Sequence, residues 1–181
     1  MNELTAAVAG VQFGRAGDYV AEDRRCAGWY TEALANQDVL VAQKVDDGDL
    51  HSYYIWAATY EGERTRGISQ TTFEQVCAEE GVHAGFGYLK VPVYLHPSFS
   101  LGNAFGYDVW RDAGYCPYRR GYCPVAEDVM PRLVMVTISP QDSDYHRRNA
   151  AALARALERL DALPDAGPRA VDDGQRVSAM S

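Results

Sequence analysis

The sequence predicts an α+β domain, a small mixed sheet with helices packed on it. Three observations carry this expectation. The patterned stretches read, in order, long helix, strand, helix, strand, loop, short helix, strand, helix. Two runs, HSYYIWAATY (51–60) and LVMVTI (133–138), are apolar or aromatic at nearly every position, which suits buried strands. A chain of 181 residues that is 47% hydrophobic can also bury one good core.

Asn2 can cap a first helix whose apolar residues Leu4, Ala7, Val8 and Val11 recur at helical spacing. Gly14 and Gly17 weaken it, and Val20, Ala27, Tyr30 and Leu34 then form a second stretch or a bent continuation. Asp46 to Asp49, with Gly48, reads as a turn. The run 51–60 is expected as a strand covered on both faces, followed by a charged loop from Gly62 to Gly67. Thr71 and Glu74 have capping-box spacing ahead of a helix carrying Phe73, Val76 and Cys77, which stops at Gly81.

A short strand is expected from Val82. Residues 89–122 are rich in Pro, Gly and aromatic side chains and read as a long ordered loop, the kind that carries function or covers something. Pro124 opens a short helix ending before Pro131, and LVMVTI is the next buried strand. Ser139, Pro140 and Asp142 fit the first positions of a closing helix with Leu153, Ala156, Leu157 and Leu160 as its core stripe. The long helix thus occupies 1–36, the α+β domain 37–163, and a disordered tail rich in Pro, Gly, Asp and Ser 164–181.

A net charge of −8 with a pI near 4.9 argues against a nucleic-acid partner or an anionic membrane surface, because phosphate binding draws on clustered Lys and Arg. No apolar stretch approaches the ~18 residues that cross a bilayer. The first 13 residues lack a basic start followed by an apolar run, so the four cysteines read as reduced thiols in a cytoplasm.

His83 and His96 lie toward the two ends of the glycine-rich stretch GVHAGFGYLKVPVYLHPSF (81–99), where an imidazole can orient a substrate or move a proton; a packed or surface histidine is the commoner reading of such a residue. Glu127 suits the first turn of its helix, where a carboxylate favours the dipole. Cys116 and Cys123 have no zinc spacing, and no metal is expected. The only lysines are Lys44, in a polar stretch, and Lys90, two residues after Tyr88. Neither is flanked by groups that would activate it as a nucleophile.

Four segments together resemble the C-terminal portion of the DegT/DnrJ/StrS-type sugar aminotransferases, which depend on pyridoxal phosphate. MNELTAAVAGVQF (1–13) resembles the family's helix start, and Asp23, Arg24, Arg25 and Tyr30, followed by Leu34, approximate its ERRxxxxxY motif. HSYYIW (51–56) resembles the strand that opens the small domain. GYCPVAEDVMPRLVMV (121–136) resembles the Cys-Pro-x-Ala-Glu segment and the strand after it. The likeness spans about residues 1–162.

The resemblance implies the C-terminal small domain of a fold-type I enzyme that moves an amino group from glutamate or glutamine to a keto-sugar or keto-cyclitol. In that family a large domain supplies the lysine, the aspartate and the phosphate cradle that hold the cofactor, and the first helix lies at a domain and subunit boundary. None of those residues is matched here, so the chain alone is expected to bind no cofactor and to carry no catalytic residue. Its expected partners are a large aminotransferase domain or dimer partner and an amino-sugar or cyclitol substrate. Tyr88 aligns with a loop tyrosine that borders substrate in relatives, and Asn103 is a candidate for the same cleft; Tyr88 equally suits a loop residue packed over the sheet. A non-catalytic interaction or sugar-binding module, or a truncated remnant, are the alternative readings.

Overall fold

In the computed structural model, which describes residues 2–89, 91–100, 118–164 and 167, four strands form one sheet in which every pair is antiparallel. These are β1 (Leu40–Ala42), β2 (Ile55–Tyr60), β3 (Gly85–Phe86) and β4 (Leu133–Thr137), in the order β1-β2-β4-β3. The helices are α1 (Glu3–Gly14), α2 (Ala16–Glu32), α3 (Gly62–Thr65), α4 (Gln70–Glu79), α5 (Pro97–Ser100), α6 (Pro124–Arg132) and α7 (Ser143–Asp161), with a 3-10 turn at Val93–Leu95. The α+β class read from the sequence is the one observed. Residues assigned to the tail, 164–181, lie outside the described residues apart from 164 and 167.

The pleat sorts the strand residues. Trp56 lies opposite Val136, Ala58 opposite Val134 and Tyr60 opposite Leu40, so all six share one face, and all are buried. Helices α2, α4 and α7 cover that face, contributing Cys26, Ala27 and Tyr30, then Phe73, Val76 and Cys77, then Leu153, Ala156, Leu157 and Leu160 to one cluster. Aromatic contacts fix the layers: Tyr60 stacks on Phe73 with centroids 4.6 Å apart, and Phe73 meets Phe86 edge-on. The Trp56 indole donates to Thr31 Oγ1 at 3.1 Å, which ties β2 to α2. On the opposite face Ile55, Ala57, Leu133 and Met135 are only half-buried and Val41 is exposed, so the strands are covered on one side, not on both.

Several boundaries differ from expectation, each for a local reason. Strand β2 starts at Ile55 because residues 51–54 form an irregular turn, with Tyr53 at φ 55° and its N–H donating to His51 Nδ1. Helix α4 is capped by Ser69, whose hydroxyl accepts from the Thr72 N–H, and Glu74 instead accepts from Gln70. Strand β3 starts at Gly85 rather than Val82, since the His83 backbone is engaged by Asn149. Helix α6 passes through Pro131 into Arg132; in the last turn the missing N–H costs a single bond. Helix α7 begins at Ser143 after a turn closed by Asp142 N–H on Ser139 O, with Asp142 as a cap that makes no side-chain bond.

Strand β1 and α3 were not expected at all. The Gln37 amide fastens β1: its Oε1 accepts from the N–H of Val39 and Leu40, and its Nε2 donates to the carbonyls of Leu34 and Leu40. Expected features also present include the Asn2 cap on Thr5, the break between α1 and α2 at Arg15, the Gly48 turn and the stop of α4 at Gly81, whose φ is 77°.

Candidate functional site

The glycine-rich loop after β3 is held against the junction of α6 and β4. Gly87, at φ 71°, donates to Leu133 O at 2.7 Å, and a Cβ there would meet Pro131 O at 3.4 Å. The next N–H, of Tyr88, donates to Met130 O at 3.3 Å, while its side chain is 59% exposed. The phenol is thus offered to solvent from a fixed backbone.

One helical turn away, Glu127 gathers the two ends of the long loop. Its carboxylate accepts from the Tyr94 hydroxyl and from Gly121 N–H at 2.6 Å, and Arg120 lies 3.8 Å away. The Tyr94 oxygen in turn accepts from Cys123 N–H at 3.2 Å. The Tyr94 bond, helped by the Gly121 and Cys123 amides and by Arg120, holds the Glu127 carboxyl below its ordinary value against the opposing effect of burial. Tyr94, Tyr118 and Tyr122 surround this clamp with centroids 6.1 to 6.5 Å apart. Glu127 therefore binds loop to helix in addition to favouring the helix N-terminus.

At the other end of α6, the buried Arg132 donates to Tyr60 O at 3.0 Å, Glu61 Oε1 at 2.5 Å and Asp128 Oδ2 at 2.7 Å. Arg64 bridges the same two acids. This network anchors α6, and with it the loop, to the end of β2.

The sequence-selected residues fall in separate places. His83, just ahead of β3, lines a groove of about 260 Å³ with Tyr145, Arg148 and Asn149, its ring 6.0 Å from that of Tyr145. The polar groups there are largely spent on one another: Asn149 on the His83 backbone and Arg155 on Glu80. His96 is exposed at the end of the 3-10 turn, and its Nδ1 accepts from Ser98 N–H at 3.3 Å. Among the described residues, no hydrogen bond or ring contact joins Tyr88, His83 and His96. Asn103, Lys90 and Cys116 lie outside the described residues.

Two residues the sequence reading passed over, His146 and Asn149, are buried with Tyr30. The signal was available: they continue the spacing of Leu153, Ala156, Leu157 and Leu160 toward the start of α7, so their polar groups had to enter the core.

The described residues do not fit pyridoxal phosphate. Lys44 is exposed and paired with Asp46 at 2.5 Å, and Arg64 and Arg132 are committed to Glu61 and Asp128. Among the described residues no three His, Cys, Asp or Glu side chains are grouped to hold a metal, and no helix is long and apolar enough to cross a membrane.

A model of the DegT/DnrJ/EryC1/StrS aminotransferase family matches residues 1–149. Among solved structures, the aminotransferase TlmJ from Streptoalloteichus hindustanus superposes with a TM-score of 0.61 at 19% identity, over 88% of this chain and 37% of its own. Helicobacter pylori PseC, an aminotransferase involved in the biosynthesis of pseudoaminic acid, gives 0.58 at 14%, over 88% and 38%. DesI, crystallised in the presence of its TDP-sugar product, gives 0.53 at 21%, over 83% and 35%. At these identities the likeness is one of fold, and this chain spans little more than a third of each solved chain. Among curated proteins none matches it.

Proposed function

From the premise that this chain belongs to the DegT/DnrJ/EryC1/StrS aminotransferase family, we propose that it acts as the small domain of a sugar or cyclitol aminotransferase. Its cofactor and amino-transfer chemistry are then supplied by a large domain outside residues 1–181. The observation that carries this reading is α1. It has no buried residue, and Leu4, Val8, Val11 and Phe13 stand exposed, so it is an apolar helix without a covering surface among the described residues. A large domain or dimer partner laid against it, and over the open face of the sheet, would complete both.

In the assembled enzyme, pyridoxal phosphate held by the large domain would serve as the electron sink for amino transfer from glutamate or glutamine. This chain's contribution is positional. Tyr88, projecting from its clamped backbone, is the group assigned to a hydroxyl of the keto-sugar, and the clamp at Glu127 keeps the loop in register with it. His96, exposed on the same loop, and Asn103 remain candidates for the same cleft, whereas His83 faces a different groove. A reducing cytoplasm suits the exposed Cys123 thiol.

The test is reconstitution. The purified chain is mixed with pyridoxal phosphate, glutamate and a nucleotide-linked keto-sugar, with and without a separately produced large domain from a family member. The chain alone should transfer no amino group, and activity should appear on adding the large domain. Turnover by the chain unaided would overturn the proposal, as would failure of the two pieces to associate.

A further inference from the structure

A line of hydrogen bonds crosses the interior beneath α7. The Ser139 N–H donates to His146 Nε2 at 3.0 Å, and His146 Nδ1 lies 3.0 Å from the Tyr30 hydroxyl. That oxygen also accepts from Asn149 Nδ2 at 3.0 Å. Asn149 then holds both backbone groups of His83, accepting from its N–H at 2.8 Å and donating to its carbonyl at 2.9 Å. Three separate pieces are thereby joined: α2, the turn between β4 and α7, and the segment leading into β3.

The Ser139 amide settles the state of the ring. A backbone N–H can only donate, so Nε2 must present a lone pair, and the neutral ring then carries its hydrogen on Nδ1, toward Tyr30. A second proton could enter only at Nε2. It would set two donors against each other at the Ser139 contact, and His146 is 1% exposed, so water has little access to repair the loss.

Two carboxylates act on this imidazole, Asp23 from α2 and Asp142 from the turn; the rings of Tyr30 and Tyr145 fill the remaining sides. Asp23 is the informative one, because its Oδ1 is buried and has no hydrogen-bond partner. It is an acceptor waiting for a donor that the neutral state does not provide.

We propose that His146 and Asp23 form a proton-operated switch: neutral His146 fastens the Ser139 turn directly and supports the His83 segment through Tyr30 and Asn149, and protonated His146 releases Ser139, leaves Tyr30 and turns to Asp23. Burial, against the opposing pull of Asp142 and Asp23, holds the His146 pKa below its ordinary 6.5. An unfolded chain takes up this proton near 6.5 while the folded chain resists it, so the stability it confers is full above that pH and drains away as pH falls below it. The His83 segment, whose Asn149 anchor loses its Tyr30–His146 support, leads through β3 into the Gly87 loop, so acid would loosen the backbone that carries Tyr88.

The experiment follows the full chain by NMR from about pH 8 to about pH 5, recording the ring nitrogens of His146 and the exchange of the Ser139 and His83 amides, corrected for intrinsic rates. At the alkaline end His146 should be the Nδ1–H tautomer. As it titrates, both amides should lose roughly ten-fold or more of their protection. The Asp23→Asn variant should move the His146 midpoint to lower pH and keep both amides protected to lower pH. An Nε2–H tautomer at the alkaline end, or amides that stay protected through the titration, would overturn the switch. A midpoint unmoved in Asp23→Asn would overturn the role given to Asp23.

Discussion

Helix α7 turns eight residues into the interior, from His146 to Leu160, whereas α1 buries none. Both show apolar residues at helical spacing. In α7 the stripe alternates with charged residues facing water, and Arg155 and Arg159 reach across to Glu79 and Glu80 at the end of α4. In α1 the small and apolar residues run all round, with Glu3 as the one charge and only the Asn2 cap to start it. A helix of 12 residues without tertiary packing is marginal in water. One helix thus takes its stability from this chain, while the other has its apolar surface left for something else, which is why the function proposed above depends on a partner.

Three substitutions would break or sharpen that contrast, in falling order of effect. Leu153→Ala should cost about 2–5 kcal/mol, since the side chain is fully buried between sheet and helices and its loss leaves a cavity; the readout is the urea midpoint at unchanged slope. Asn149→Ala should cost about 1–3 kcal/mol, because it strands the N–H and carbonyl of His83 without partners. Melting temperature will register it, and a loss below the noise would mean that water replaces the amide. Val8→Asp should shift the isolated chain by no more than about 0.5 kcal/mol, as an exposed position with no packing to lose. The same variant should abolish association with a large domain in sedimentation. A large fall in stability from Val8→Asp would show that α1 belongs to this chain's own core.

Where an element is defined by its own residues, the sequence was readable. The α7 stripe, the Gly81 stop and the Gly48 turn depend on spacing and on a positive φ, both local properties. Where an element is defined by what lies across from it, reading failed. Strand β1 is three residues long and exists through pairing with Ala58 to Tyr60 and through one side chain outside it. Thr71 with Glu74 had capping-box spacing, yet the cap is Ser69, whose hydroxyl accepts from the Thr72 N–H. Candidate site residues followed the same rule. The exposed loop position of Tyr88 was legible from the glycines around it, but the clamp of Tyr94 on Glu127 joins positions 33 apart, and the Tyr30, His146 and Asn149 group joins positions up to 119 apart. Spacing along α7 marks His146 and Asn149 as buried, but which residues they meet leaves no mark in local spacing.

The Gln37 amide uses all four of its hydrogen-bonding positions to start the sheet's edge strand. Such a fastening can wear chemically. Hydrolysis of that one side chain to glutamate would keep the acceptor for Val39 and Leu40 but replace the donor with a negative oxygen aimed at two carbonyls. A chain altered at that one position would come apart at β1, while the α7 side of the molecule stayed intact.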